Sequence, residues 1–201
     1  MLIFLKYIFD CLIDSRPRAN SLREVRRRLA DMDGQRKVSP AESASALRLR
    51  ALREELGARI GRVVACSQCV RPRSQDWPGG ACCEGPTEEL FDDQELASLK
   101  IAGTKPRHLR SPILGRANRA SHVGCIFRGP KGCSLPPSRR PTLCVRYTCF
   151  ALQRELDQRK DSDEINRLQA ELDKEFADFR DQRRARQQQE FMDALEAGLY
   201  D

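Results

Sequence analysis

The chain has 201 residues, of which 40% are hydrophobic, 32% charged and only 6% aromatic, with a formal net charge of +7. That length fits one domain of ordinary size or a small domain with long helical extensions, and no apolar run approaches the roughly 20 residues needed to cross hydrocarbon. Lysine and arginine outnumber aspartate and glutamate 14 to 8 in residues 1–65 and 13 to 7 in residues 66–149, whereas the ratio inverts to 9 against 14 in residues 150–201. A basic body thus carries an acidic tail. Such a body attracts nucleic acid, anionic lipid or acidic protein, or offsets negative charge within the protein itself.

The opening MLIFLKYIFDCLI is apolar but contains Lys6 and Asp10, lacks a basic start and is not followed by a small-residue cleavage site. It reads as a packed amphipathic helix rather than a signal peptide, and a cytoplasmic location is the expectation. Cys11, within it, is expected to pack as a small hydrophobe. In SLREVRRRLADMDG, Ser21 with Glu24 three residues on predicts a helix start, and Gly34 a stop. Ser39-Pro40 predicts a second start, with serine as cap and proline in the first turn. Leu47, Leu49, Leu52, Leu56, Ile60, Val63 and Val64 then recur at helical spacing and lead to Cys66.

Residues 66–149 are punctuated by proline and glycine, and only EELFDDQELASLKIAG predicts a regular helix, ending near Gly103. So much loop cannot bury a core through periodic structure alone, and regions of this size rely on disulfides or metal. After Phe150 the chain is helical and highly charged. Leu152 and Leu156 predict a short helix, and Asp161, Ser162 and Asp163 a break with a fresh cap. Ile165, Leu168, Leu172, Phe176 and Phe179 continue on one face. RDQRRARQQQ interrupts the apolar pattern before Phe191, Met192, Leu195 and Leu199 resume it. That spacing suits antiparallel packing or a coiled-coil partner, so the arms are candidates for protein contacts. The predicted division is 1–65, a helical N-terminal region; 66–149, a cysteine-cluster domain; and 150–201, a charged helical arm.

Eight of nine cysteines fall in the middle segment: Cys66-x2-Cys69, Cys82-Cys83, Cys125, Cys133, and Cys144-x4-Cys149. Such clustering means a disulfide framework or a metal site. Disulfides need an oxidising compartment, and no export signal is evident. Clustered reduced thiolates repel one another unless metal pairs their charge. C-x2-C on a tight turn directs two sulfurs at one ion, whereas adjacent cysteines more naturally serve two metal atoms. Eight thiolates fill two tetrahedral zinc sites, or ligate one four-iron cluster with four to spare.

CSQCVRPRSQDWPGGACC followed by CIFRGPKGCSLPPSRRPTLCVRYTC resembles the cysteine-cluster family of YkgJ type, a zinc- or iron-chelating domain. Cys125-Ile126-Phe127, Gly132-Cys133, Arg140-Pro141 and Cys144 through Cys149 follow the order of the family's second block. Departures occur at Val145, where arginine is common, at Thr148, which replaces the usual proline, at Gly132-Cys133, which no residue separates, and in the twelve-residue gap before Cys82. The helical patterns and the cysteine segment together predict a mainly α protein with a loop-rich, cysteine-ligated metal-binding core and helical arms; the resemblance implies that the core holds zinc or an iron–sulfur cluster. A related cluster in flagellin lysine N-methylase implies an enzyme alternative, though no glycine-rich loop is present.

Other candidates are secondary. His122 is a substitute ligand candidate, and His108 falls in a basic loop expected to be solvated. Arg139, Arg140 and Arg146, among the last cysteines, are either surface residues or cations that stabilise thiolates. Trp77 and Pro78-Gly79-Gly80 offer a wall beside Cys82. Arg-rich stretches at 23–28 and 105–119 leave a zinc-ordered nucleic-acid module open, with few aromatics for stacking. HExxH, GxSxG, Walker and GxGxxG patterns are absent, and no catalytic residue is nominated.

Overall fold

The computed structural model describes residues 16–32, 38–61, 87–110, 125–129 and 132–198. Cys11, Cys66, Cys69, Cys82, Cys83, Trp77, Val63, Val64, His122, Leu199 and the Pro78-Gly79-Gly80 turn lie outside them, as does the opening apolar segment. The described chain is mainly helical, as expected. Its elements are α1 (Arg16–Asp31), α2 (Pro40–Ile60), α3 (Thr87–Leu90), α4 (Asp93–Ile101), α5 (Thr142–Arg146), α6 (Phe150–Gln158) and α7 (Ser162–Glu196). Two 3-10 turns, Pro106–His108 and Pro137–Arg139, and a hairpin of β1 (Arg128–Gly129) and β2 (Gly132–Cys133) complete it.

The Ser39 signal is realised in full. Its hydroxyl accepts from the Glu42 amide, and the Glu42 carboxylate accepts from the Ser39 amide, both at 3.1 Å. Two of the donors that every helix start leaves unpaired are thereby satisfied. Ser21 behaves otherwise. It lies inside α1, five residues beyond Arg16, so the Ser21–Glu24 spacing does not mark a start. Glu24 instead pairs with Arg27 at 2.7 Å, one turn on.

EELFDDQELASLKIAG forms two helices rather than one. Phe91 is buried at the junction, and Asp92 accepts from the amides of Gln94 and Glu95 to cap α4. The stop at Gly103 is as expected. Its φ of +89° lets Thr104 N–H reach Leu99 O at 2.8 Å and Gly103 N–H reach Lys100 O at 2.9 Å, a Schellman closure.

α2 and α7 run antiparallel, as the ion pairs record: Glu42 with Arg186, Arg48 with Glu171, and Arg59 with Glu164. Leu49, Leu52 and Leu56 meet Ile165, Leu168, Leu172 and Phe179 between them, in a core shared with Leu152 and Leu156 of α6 and Val145 of α5. Leu47, assigned to the stripe by spacing, is 56% exposed; Ala46 occupies the core position beside it. RDQRRARQQQ does not interrupt the helix. α7 runs through it, with Arg183 buried and Arg186 donating to Glu42 at 2.6 Å. Beyond it Phe191, Met192 and Leu195 are exposed.

A second core gathers Val25 and Leu29 of α1, Phe91, Leu109, Leu135 and the Cys125–Phe127 segment. α4 stands between the two cores, turning Ala97 to the first and Leu96 and Leu99 to the second. With apolar residues on opposite sides, it shows no single stripe for a sequence pattern to detect.

Gly57 is where α2 meets the Pro137–Arg139 turn. A Cβ there would lie 2.1 Å from both Cβ and Cγ of Pro137. Mid-helix glycine to alanine ordinarily gains about 1 kcal/mol, but forced overpacking costs about 1–3 kcal/mol. Gly57→Ala is therefore expected to destabilise by about 1–2 kcal/mol net, read as a lower midpoint in urea unfolding.

Glu42 gives a second expectation. Burial opposes its charging, yet hydrogen bonds from Arg186 and the Ser39 amide hold its carboxyl below its usual value of 4.5. A carboxyl depressed on folding stabilises above its unfolded value, and that contribution is lost as pH falls through the folded one. Glu42→Gln is expected to lower stability by about 2 kcal/mol at pH 7. The gap between the variant and the native chain should narrow in melts below about pH 4.

Candidate metal centre

Four of the eight candidate ligands, Cys125, Cys133, Cys144 and Cys149, are among the described residues, and all carry free thiols. Cys125 is buried in a turn closed by Arg128 N–H on Cys125 O at 3.1 Å. The turn is fixed from two directions. The neighbouring Ile126 amide donates to Thr87 Oγ1 at 3.0 Å, and Phe127 stacks against Phe91 at 5.6 Å and 58°. Such a ring pair is worth about 0.5–1.5 kcal/mol beyond area burial. Cys133 lies on β2 opposite Arg128, packed against the same core. The hairpin thus brings the two cysteines of the C-x7-C spacing to one cluster.

Cys144 sits in the middle of the five-residue α5, and Cys149 immediately precedes α6, packed against the α2–α7 core. A helix of five residues has almost no intrinsic stability, so something outside it must hold it. That support is Arg53, on α2 and fully buried. Its Nη2 donates to Glu95 Oε2 at 2.7 Å, to Ser98 Oγ at 3.0 Å and to Thr142 Oγ1 at 3.0 Å. Glu95 in turn accepts from the Thr142 amide at 2.7 Å, filling the first vacant donor of α5. Two nitrogens of Arg53, Nε and Nη1, have no hydrogen-bond partner among the described residues. Cys144 is close enough for its thiolate to act on the guanidinium charge.

Burial pulls the Arg53 guanidinium down and pushes the Glu95 carboxyl up, while each partner favours the other's charged form. Since guanidinium keeps its proton in proteins, the result is a buried ion pair with surplus cationic hydrogen-bonding capacity next to a cysteine.

The arginines singled out by sequence do other work. Arg140 Nε donates to Leu135 O at 2.9 Å and braces its own turn. Arg146 Nη1 bonds both oxygens of Asp173 at 3.2 Å. Arg139 belongs to a group of cations around His108, which is half-buried and accepts from the Lys105 amide through Nδ1. Arg53 went unnoticed in the sequence. The available signal was a charged residue within Leu49, Leu52 and Leu56, on the face that α2 buries.

Among the described residues no group of three or more His, Cys, Asp or Glu comes together to hold a metal ion. The described cysteines divide into Cys125 with Cys133 on the second core, and Cys144 and Cys149 bordering the first. Away from them, a polar cleft of about 420 Å³ is lined by Arg28, Asp31, Asp93 and Arg183 among others, with Arg28 and Asp93 paired at 2.7 Å.

No helix among the described residues is long and apolar enough to cross a membrane. No protein-family model, curated protein or solved structure matches the chain.

Removing one member of a buried pair strands the other and costs about 3–5 kcal/mol, whereas replacing both by apolar groups is near neutral. Arg53→Met and Glu95→Leu singly are each expected to destabilise by about 3 kcal/mol or more. The double variant should recover most of that loss in a urea double-mutant cycle.

Proposed function

We propose that this chain is a metal-binding cysteine-cluster protein, with Cys66, Cys69, Cys82, Cys83, Cys125, Cys133, Cys144 and Cys149 supplying the ligands. The observation that carries the proposal is Arg53, a fully buried cation on α2 that bonds Thr142 at the start of the α5 helix bearing Cys144 and keeps two donors unused among the described residues. A buried guanidinium is stabilised by an anionic neighbour, and a thiolate centre provides one. The resemblance of residues 66–149 to the cysteine-cluster family supports the same assignment.

The ends of the described segments suit it as well. Thr87 bonds the residue next to Cys125 and follows Cys83 by four residues, a tether of about 14 Å at most. Bound zinc would contribute folding free energy, on the order of 10–16 kcal/mol, and an iron–sulfur cluster would add electron transfer. Arg53 would lower the cost of the centre's negative charge, and the Glu95–Thr142 bond would hold the Cys144 backbone in register.

Elemental analysis with a visible spectrum of anaerobically purified protein tests the proposal. Zinc gives a colourless protein with about two ions per chain if all eight sulfurs are used in tetrahedral sites, and iron–sulfur a brown one. Cys125→Ser and Cys144→Ser are expected to lower the metal content and the melting temperature. Protein free of both metals after anaerobic preparation would falsify the assignment.

A further inference from the structure

The cations outside the candidate metal centre divide unequally. Most arginines on α1, α2 and α7 face carboxylates: Arg27 has Glu24 and Asp31, Arg167 has Glu164 and Glu171, and Arg186 has Glu42 and Glu190. One stretch has no such option. From residue 96 to residue 154 the sequence contains no aspartate or glutamate, yet it contains twelve lysines and arginines.

The structure gathers four of these cations around one point. Arg107 lies on the Pro106–His108 turn and Lys105 and Arg110 flank it, while the hydrogen bond of Ser134 Oγ to Arg110 O ties that stretch to the segment leading into the Pro137–Arg139 turn, which carries Arg139; the charges of all four reach His108. Lys105, Arg107 and Arg110 are exposed and Arg139 half-exposed, and none of the four forms an ion pair with a carboxylate among the described residues. Four like charges brought together without counter-charge repel, so the arrangement costs free energy unless something anionic approaches.

The backbone beneath is held firmly. Arg26 donates to Leu109 O from Nε at 2.9 Å and Nη2 at 2.6 Å, Leu109 is fully buried, and Ser134 Oγ donates to Arg110 O at 3.2 Å. Arg110 Nε is turned onto Arg107 O at 3.1 Å, which fixes the two side chains' common base. A fixed cationic surface loses little entropy on meeting its partner.

Three of the four cations are arginine, and the chain as a whole has 29 arginines to 7 lysines. The planar guanidinium fork matches phosphate oxygens two at a time. An acidic protein or an anionic membrane would need apolar surface alongside the charge. The exposed large hydrophobics, Leu143, Tyr147, Phe150, Phe191, Met192 and Leu195 among them, include none on the two turns. The turns carry no phenylalanine, tyrosine or tryptophan on which an unpaired base could stack, and their one aromatic ring, His108, is half-buried with Nδ1 held by the Lys105 amide.

We infer that Lys105, Arg107, Arg110 and Arg139 form a docking surface for the phosphate backbone of a duplex nucleic acid. The surface is independent of the cysteines, since Arg53 rather than any of these four is the cation at Cys144. Contacts of this type fix position on a duplex without reading its sequence.

Fluorescence anisotropy of the full metal-loaded protein with a labelled 20-base-pair DNA duplex, across a salt series, tests the inference. Four phosphate contacts give a slope of log K against log salt of about −3 to −4, with micromolar affinity at low salt. Each single exchange to glutamine is expected to reduce the slope by about one, and the fourfold exchange to weaken binding at least tenfold. The fourfold exchange of Arg154, Arg167, Arg180 and Arg184 to glutamine removes the same charge from α6 and α7 and should change affinity by no more than about threefold, by the weakness of screened charges away from the contact. Equal loss in the two fourfold variants would reduce the effect to net charge and overturn the inference. So would absence of duplex binding, or tighter binding to polyglutamate or phosphatidylserine vesicles than to the duplex. Circular dichroism melts of both fourfold variants at the native temperature show that loss of binding is not loss of fold.

Discussion

The contact between Arg53 and Glu95 is made in a place where charges are expensive. Each ion taken from water to the interior costs several kcal/mol, and mutual attraction recovers that only with good geometry and further hydrogen bonds. Here Nη2 of the arginine meets three oxygens, and the carboxylate receives an amide besides. The contact joins α2, α4 and α5, three elements separated by long stretches of sequence. Without it α5 would be an isolated helical turn, and the position of Cys144 would be set by loop entropy rather than by the fold. An apolar pair could tie the same helices as strongly. What an apolar pair could not supply is a fixed positive charge beside a thiolate, and this is the physical reason to connect the pair with the cysteines.

The two cores give the cysteines their separation. α4 serves both, so the Cys125–Cys133 hairpin and the α5–α6 junction are attached to opposite sides of one nine-residue helix. A rigid spacer between two pairs of sulfurs favours distinct environments for each pair. The stretch that holds the other four cysteines leaves α2 at Gly61 and rejoins the fold at Thr87, directly beside Ile126.

How much of this the sequence made legible follows the range of the interaction. Signals that act within one helical turn could be read directly: the Ser39 cap, the Gly103 stop, the break at residues 161–163 and the face of Ile165, Leu168 and Leu172. Ser21 failed because a capping spacing is also an ordinary pair of surface residues when the chain is already helical. The gap in the apolar pattern at RDQRRARQQQ conceals a long-range partner, since Arg186 there donates to Glu42, 144 residues away, which no local pattern contains. The same limit concealed Arg53, whose partners lie 42, 45 and 89 residues away. The order of the cysteines is legible in the sequence, and the buried cation whose charge Cys144 acts on is not.

Charge shows the same division between local and distant partners. The acidic tail does neutralise the body, but selectively: α7 places Glu171, Glu164 and Asp173 against Arg48, Arg59 and Arg146, on the elements it packs against. Surface pairs of this kind contribute at most about 1 kcal/mol each, so they cannot be what holds α7 in place; the leucine and phenylalanine contacts do that. Their effect is on the field. Where α7 lies, its carboxylates face arginines, and in the carboxylate-free stretch Lys105, Arg107, Arg110 and Arg139 form no ion pair among the described residues. A uniformly basic protein would attract polyanions everywhere with little orientation. Among the described residues the tail thus cancels charge along α2 and α5 and leaves it on the two 3-10 turns, which is why the proposed docking surface falls there and not on the helical pair.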